Sequence, residues 1–200
     1  MKYPFFASFI ILILVIRHAI RRNRNIDESS RAAFWEKERK ANETRKKPLD
    51  DLIYITPDTS AFPMDLMPEN EEIADCRRII EELKKEKIVN LTGITNTDLK
   101  LRYGVANLPV LTSYDDRFTL LVQTYEKWAD ILWENGYAKE AVPILEEQVR
   151  IHADVTGVYK RLAAYYKENN TPEKISGLRE VAETLNATSR SVILRYLDES

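Results

Sequence analysis

A pattern that repeats every 34 residues places the strongest restriction on how the C-terminal part of this chain can fold. At that offset, large apolar, small and turn-forming residues coincide. The coincident sets are Tyr125, Tyr159 and Ile193; Trp128, Leu162 and Tyr196; Ala129, Ala163 and Leu197; and Gly136 with Asn170. A small residue lets two helices approach closely, and glycine or asparagine readily takes the left-handed conformation that ends a helix. The period therefore predicts antiparallel helix pairs from about Phe118 to Leu197.

This pattern resembles the tetratricopeptide repeat, a helical hairpin with the same period. The resemblance covers two repeats and a final capping helix, Ser191 to Leu197, so residues 118–200 are expected to form a body of antiparallel helix hairpins. It departs from the family where a proline is expected at the end of each repeat, because Ala153 and Ala187 stand there. Arg179 and Gln148 also occupy positions that are usually apolar or small. The alternative is a generic helical bundle whose 34-residue register is accidental.

The resemblance also implies a binding site. In tetratricopeptide proteins the first helices of successive repeats line a concave groove that takes an extended peptide. Carried over by position, the residues lining such a groove here would be Gln123, Glu126, Asp130, Trp133, Lys160, Ala164 and Lys167. An aromatic side chain among charges suits a peptide site, because rigid aromatic residues often contribute most of the binding energy. The alternative is that Trp133 packs against a neighbouring segment of the chain, either the helix after Asn70 or the arm before it.

An apolar run at the start of the chain predicts a membrane anchor. No residue from Tyr3 to Ile16 is charged, and the segment from Tyr3 to Ile20 would span roughly 27 Å as a helix, close to the hydrocarbon thickness of a bilayer. Residues 1–25 are therefore expected to form a single transmembrane helix with a basic flank. A cleaved export signal and an interfacial or buried helix are the alternatives, although no small-residue cleavage site closes the run.

The distribution of charge sets the expected orientation. Residues 1–47 carry twelve Lys and Arg against five Asp and Glu, whereas the rest of the chain carries eighteen against twenty-seven. Membrane-flanking cations follow the apolar run at Arg17, Arg21, Arg22 and Arg24. Because cationic flanks stay on the cytoplasmic side, the N-terminus is expected outside and the body in the cytoplasm. The expected location is the cell membrane, and an organelle outer membrane is the alternative.

Residues 26–48 are expected to form a charged juxtamembrane helix that begins at Asp27 and stops before Pro48. Phe34 and Trp35 are its only large apolar residues, which is too few for a core face. One interpretation is a solvated spacer between membrane and body. The other is a helix that lies on the membrane, with its cations attracted to anionic lipid and its aromatic rings at the headgroups.

Residues 49–69 are expected to form an extended, proline-containing arm, because three prolines prevent a regular helix there. Its apolar side chains are expected to pack on the body; they are Ile53, Ile55, Phe62 and Leu66. An exposed linker would rarely carry so many apolar residues.

Residues 70–117 are expected to form a helix followed by an irregular capping segment. Asn70 is the predicted N-cap of the helix. The apolar stripe Ile73, Cys76, Ile80 and Leu83 has helical spacing, and the helix should run to about Lys87. A short helix from Thr97 to Tyr103 should end at Gly104. Ser113 should cap the first repeat helix.

The sequence contains no motif for catalysis or metal binding. It has no glycine-rich phosphate loop, no paired-cysteine motif and only two histidines, so no cofactor and no metal are expected. The basic cluster lies beside the apolar run and the body is acidic, which argues against a nucleic-acid partner.

The chain is therefore predicted to be all-α and non-catalytic: a membrane-anchored adaptor or assembly factor that binds an unidentified protein or peptide. A structural subunit of a membrane complex, with repeats that only stiffen it, is the alternative. An enzyme is a more distant one.

Overall fold

The computed structural model describes residues 16–17 and 30–199. All regular secondary structure in these residues is helical, as predicted. The helices are α1 (residues 30–43), α2 (Glu71–Leu83), α3 (Asn96–Tyr103), α4 (Leu108–Glu134), α5 (Ala138–Arg150), α6 (Thr156–Glu168), α7 (Pro172–Thr184) and α8 (Arg190–Asp198), with a short 3₁₀ turn at Val105–Asn107.

The predicted anchor lies outside the described residues, apart from Ile16 and Arg17, which are helical and exposed. Arg21, Arg22 and Arg24 also lie outside them. None of the helices within the described ranges is long and apolar enough to cross a membrane.

The chain divides into two compact units. The first contains α1 and Asn96–Ala106, and the second contains Pro48–Thr95 together with the chain from Asn107 onward. The capping segment predicted for residues 70–117 is thus divided, because α3 belongs with the charged N-terminal helix.

In the first unit, polar contacts join α1 and α3. The carboxylate of Glu38 pairs with the ammonium of Lys100 and accepts a hydrogen bond from the Thr97 hydroxyl at 2.7 Å. Lys37 forms an ion pair with Asp98 at 2.6 Å. The Lys47 amide donates to the Tyr103 carbonyl at 2.9 Å, so the chain beyond α1 follows the end of α3.

In the second unit, α2 forms as the local sequence predicts. The side chain of Asn70 accepts a hydrogen bond from the Ile73 amide at 3.0 Å, which confirms the cap. The predicted stripe is buried on α2, including Cys76, and the helix ends at Leu83, four residues before the predicted limit. Lys84 makes the last backbone bonds of the helix.

The arm packs on the second unit through part of its apolar set. Phe62 is buried, and its ring contacts the rings of Tyr125 and Trp128 at centroid distances of 5.4 and 5.5 Å. Ile55 and Leu66 pack on the same core. The prediction was wrong for Ile53, which is 85% exposed. Ile53 directly follows a turn in which the Leu52 amide donates to the Leu49 carbonyl at 3.3 Å, so the regular alternation of an extended strand is not established at this residue.

The first repeat helix begins earlier than predicted. α4 starts at Leu108, with Pro109 in its first turn, so Ser113 lies inside the helix and not at a cap. Leu111 and Phe118 are both buried, and a spacing of seven residues places them on one helical face. The helix therefore begins five residues, about one and a half turns, before Ser113.

The turns inside the two hairpins α4–α5 and α6–α7 have the same hydrogen bonds. Gly136 and Asn170 both have positive φ, at 83° and 53°, as predicted. In each turn the amide after that residue donates to a carbonyl five residues earlier, at 2.9 Å: Tyr137 to Leu132 and Thr171 to Tyr166. This is the Schellman arrangement, which satisfies the last carbonyls of a helix.

Buried positions recur with the same offset. Tyr125 and Tyr159, Ala129 and Ala163, Ile144 and Leu178, and Ile151 with Leu185 are all buried. Leu132 and Tyr166 follow the same rule. The two hairpins therefore present equivalent faces to a common core, which Ile193 and Leu197 of α8 complete.

Candidate interaction face

Four of the seven predicted groove residues are exposed on the first helices of the hairpins. They are Gln123 on α4 and Lys160, Ala164 and Lys167 on α6. We call these four residues the interaction face. They are exposed because they lie away from the buried positions Tyr125, Trp128, Tyr159 and Leu162 of the same helices.

Asp130 and Trp133 have a different environment, because both contact α6. Arg161 pairs with Asp130 at 2.6 Å, and its guanidinium carbon lies 5.2 Å from the centroid of the Trp133 ring. The Trp133 ring also meets the Tyr165 ring edge-on, with centroids 6.2 Å apart. These two side chains therefore join neighbouring hairpins and are already engaged within the chain.

The contacts of the Trp133 ring with Arg161 and Tyr165 are contacts with α6, a helix that the prediction did not name as its neighbour. Arg161 and Tyr165 are the residues that sequence reasoning missed here. The sequence places both residues on α6, but no local sequence pattern shows that they contact a residue of another helix.

Glu126 lies between the interaction face and Asp130 and is half-buried. Burial, followed by the negative charge of Asp130, raises the pKa of its carboxyl group, while Arg161 acts in the opposite direction. A nearby cation or hydrogen-bond donor stabilises a carboxylate in this environment more than it stabilises a fully solvated one.

Lys160 also contacts α8. Its ammonium nitrogen lies 5.2 Å from the centroid of the Tyr196 ring, a cation–π geometry. Lys160 therefore connects the second hairpin to the final helix.

A cavity of about 280 Å³ lies between the arm and α5, lined by Asp58, Ser60, Ala61, Phe62, Pro143, Glu146, Glu147 and Arg150. Its charged groups have partners in the same unit. Glu147 pairs with Arg150 at 2.5 Å and accepts a hydrogen bond from the Asp58 amide at 2.9 Å. Glu146 pairs with Lys174 at 2.8 Å and accepts from the Tyr166 hydroxyl at 2.6 Å. These contacts fasten the arm and α7 to α5.

Cys76 and His152 belong to chemically reactive residue types, and both occupy positions in which they contribute to the fold. Cys76 is buried, and burial raises the pKa of its thiol. His152 is exposed at the end of α5, where its φ of 58° forms part of the turn. Among the described residues, no group of three or more His, Cys, Asp or Glu side chains is placed to hold a metal ion.

In comparisons with known proteins, no family model, no curated protein and no solved structure matches this chain.

Proposed function

We propose that this chain is a membrane-tethered, non-catalytic interaction module. Its body would be a tetratricopeptide-like stack of α4–α5 and α6–α7 with α8 as the cap, and the interaction face would bind an extended segment of another protein. The observation that carries the proposal is the exposure of Gln123, Lys160, Ala164 and Lys167 along the first helices of two hairpins with equivalent turns.

The division of roles along α4 supports this site. Asp130 and Trp133 are engaged with Arg161 and Tyr165, so they hold the two hairpins together. The interaction face lies on the same two helices and is exposed. A partner could then bind without disturbing the packing between hairpins, which keeps the entropic cost of association low.

The tether supports the same role. The apolar run and its basic flank favour a single span with the body in the cytoplasm. Confinement at a membrane raises the local concentration of the body near a partner in the same membrane. A peptide site of two repeats would be weak alone, and tethering compensates for that weakness.

Site-specific photocrosslinking in cells, with the complete chain, tests the interaction face. A photoreactive amino acid at Ala164 or Gln123 should give the same crosslinked partner. The matched control is Ser176, which is exposed on the second helix of the same hairpin. It should give no such product.

The charge reversal Lys167→Glu should abolish the Ala164 crosslink with no change in the unfolding temperature, because Lys167 is exposed on α6. The proposal fails if Ser176 gives the same product as Ala164, or if Ala164 gives none. Trp133→Ala serves as a stability control, and it should lower the free energy of unfolding by about 2 kcal/mol because it removes ring packing between α4 and α6.

A second candidate is a structural subunit of a membrane complex, in which the anchor and α1 make the contacts. The exposed rings of Phe34 and Trp35 on α1 favour it. In that case a photoreactive group at Trp35 would give the protein crosslink and one at Ala164 would not.

A further inference from the structure

Two aromatic rings on α1 are exposed together. Phe34 is 53% exposed and Trp35 is 66% exposed, and their rings meet edge-on with centroids 5.3 Å apart. Both are among the largest apolar side chains, and their burial would be favourable. Two such residues side by side on the surface indicate that this site contacts an apolar environment.

Three of the four cations of the same helix form ion pairs. Lys37 pairs with Asp98, and Arg39 pairs with Glu36 and Glu43 at 2.8 Å. Lys40 lies 3.5 Å from Glu36. Within residues 30–43 the four basic residues are nearly balanced by three acidic ones. The surface around the two rings therefore offers little net charge to an anionic partner.

The size of the patch limits its occupant. An aromatic side chain buries roughly 150–250 Å² when it is fully covered, so two half-exposed rings supply less than about 400 Å². A stable protein interface needs roughly 800 Å² from each partner. A bilayer has no such threshold, because an anchor already holds the chain at its surface and the rings only have to enter the interface.

We propose that Phe34 and Trp35 insert into the headgroup layer of the membrane that the N-terminal segment enters. This inference rests on the proposed anchor. Phe34 is only fourteen residues beyond Ile20, so a fully extended chain keeps it within about 50 Å of the end of the apolar run, and a helical one within about 21 Å. Aromatic side chains favour the membrane–water interface, and the insertion of two uncharged rings should be insensitive to salt.

Fluorescence quenching by brominated lipid tests the insertion. The complete chain is reconstituted in phosphatidylcholine vesicles whose acyl chains carry bromine near the carbonyl end. The emission of Trp35 is obtained as the difference between the wild type and Trp35→Phe. Trp133 supplies the matched control through Trp133→Phe, because its ring is covered by Arg161 and Tyr165 in the other unit.

We expect the Trp35 emission to lose most of its intensity in brominated vesicles, while the Trp133 emission is unchanged. The loss should be the same at low and high salt and with or without phosphatidylglycerol. Trp35 emission that is quenched by aqueous acrylamide and not by brominated lipid, in vesicles that carry the chain on flotation, overturns the insertion and leaves the anchor intact. Failure of the chain to float with the vesicles overturns both.

Discussion

At the scale of single residues, Gln148 departs most clearly from its surroundings. It is 0% exposed, and neither atom of its side-chain amide has a hydrogen-bond partner among the described residues. One repeat later the equivalent position is Ala182, which is buried and has no polar side chain. Burial of an unpaired amide costs about 1–3 kcal/mol, so the first hairpin carries a destabilising group that the second does not.

Gln148→Met should therefore raise the free energy of unfolding by about 1 kcal/mol, because methionine has a similar length and no hydrogen-bonding demand. Urea denaturation of the complete chain in detergent, followed by circular dichroism, measures the change. The control is Gln123→Met, because Gln123 is exposed on α4. Its free energy of unfolding should remain within about 0.5 kcal/mol of the wild-type value. A loss of stability in Gln148→Met would mean that the amide is satisfied in solution.

Gly93 illustrates a position where only glycine fits. Its φ is +78°, and a Cβ atom there would lie 1.7 Å from the carbonyl oxygen of Asn186. The close approach brings the segment after α2 against the turn between α7 and α8. There the side-chain amide of Asn186 also donates to the Thr92 carbonyl at 3.4 Å. Two segments distant in sequence are thus in backbone contact.

Gly93→Ala should lower the free energy of unfolding by at least about 2 kcal/mol, because it combines a left-handed backbone with a backbone clash. Gly177→Ala in the exposed middle of α7 is the matched control. A Cβ there meets nothing within 4 Å, and helix propensity predicts a gain of up to about 1 kcal/mol. The reactivity of buried Cys76 toward a thiol reagent reports the opening of this unit, and equal reactivity in both variants would contradict the prediction.

At the scale of elements, the charged helix α1 contacts α3 and is not a spacer surrounded by solvent alone. Glu38 contacts both Lys100 and Thr97, and Lys100 also donates to the Asn42 side chain at 2.9 Å. Hydrogen bonds from Lys100 and then Thr97 lower the pKa of the Glu38 carboxyl group. A carboxyl group whose pKa is lower in the folded state stabilises that state when it is ionised.

The contact between α1 and α3 should consequently weaken in acid. The stabilisation is fully present above the ordinary glutamate pKa of 4.5 and is lost as the pH falls through the lower value of the folded state. Titration of the Glu38 side chain by NMR should place its pKa below 4.5, and Lys100→Met should raise it toward that value. A Glu38 pKa unaffected by Lys100→Met would refute the contact.

At the scale of the whole molecule, we expect a protease to reach the body from only one side of a membrane. The basic flank of the apolar run predicts that the C-terminal part stays in the cytoplasm. Protease added to intact cells should therefore leave residues beyond the anchor uncut, and protease added to inverted membrane vesicles should digest them.

Replacement of Arg21, Arg22 and Arg24 by asparagine should invert a fraction of the chains, because cations beside a membrane span favour its cytoplasmic side. Replacement of three exposed lysines or arginines far from the run leaves the flank unchanged and serves as the control; Lys85, Lys139 and Arg195 are suitable positions. Digestion of the wild-type body in intact cells would show that the predicted orientation is wrong.

Features that depend on neighbouring residues were predictable from the sequence. The Asn70 cap, the stripe that buries Cys76 and the left-handed turns at Gly136 and Asn170 all follow from hydrogen bonds and side-chain spacing within a few residues. The helical class and the offset of 34 residues follow for the same reason, because each repeat sees a similar local environment.

Contacts between distant residues were not predictable in the same way. Only tertiary packing brings Arg161 and Tyr165 onto Trp133, leaves Ile53 exposed, joins α3 to α1 and extends α4 back to Leu108. Each of these outcomes is a choice of partner among several apolar or charged surfaces with similar local patterns. That choice depends on the shape of the assembled core, and no stretch of a few residues contains it.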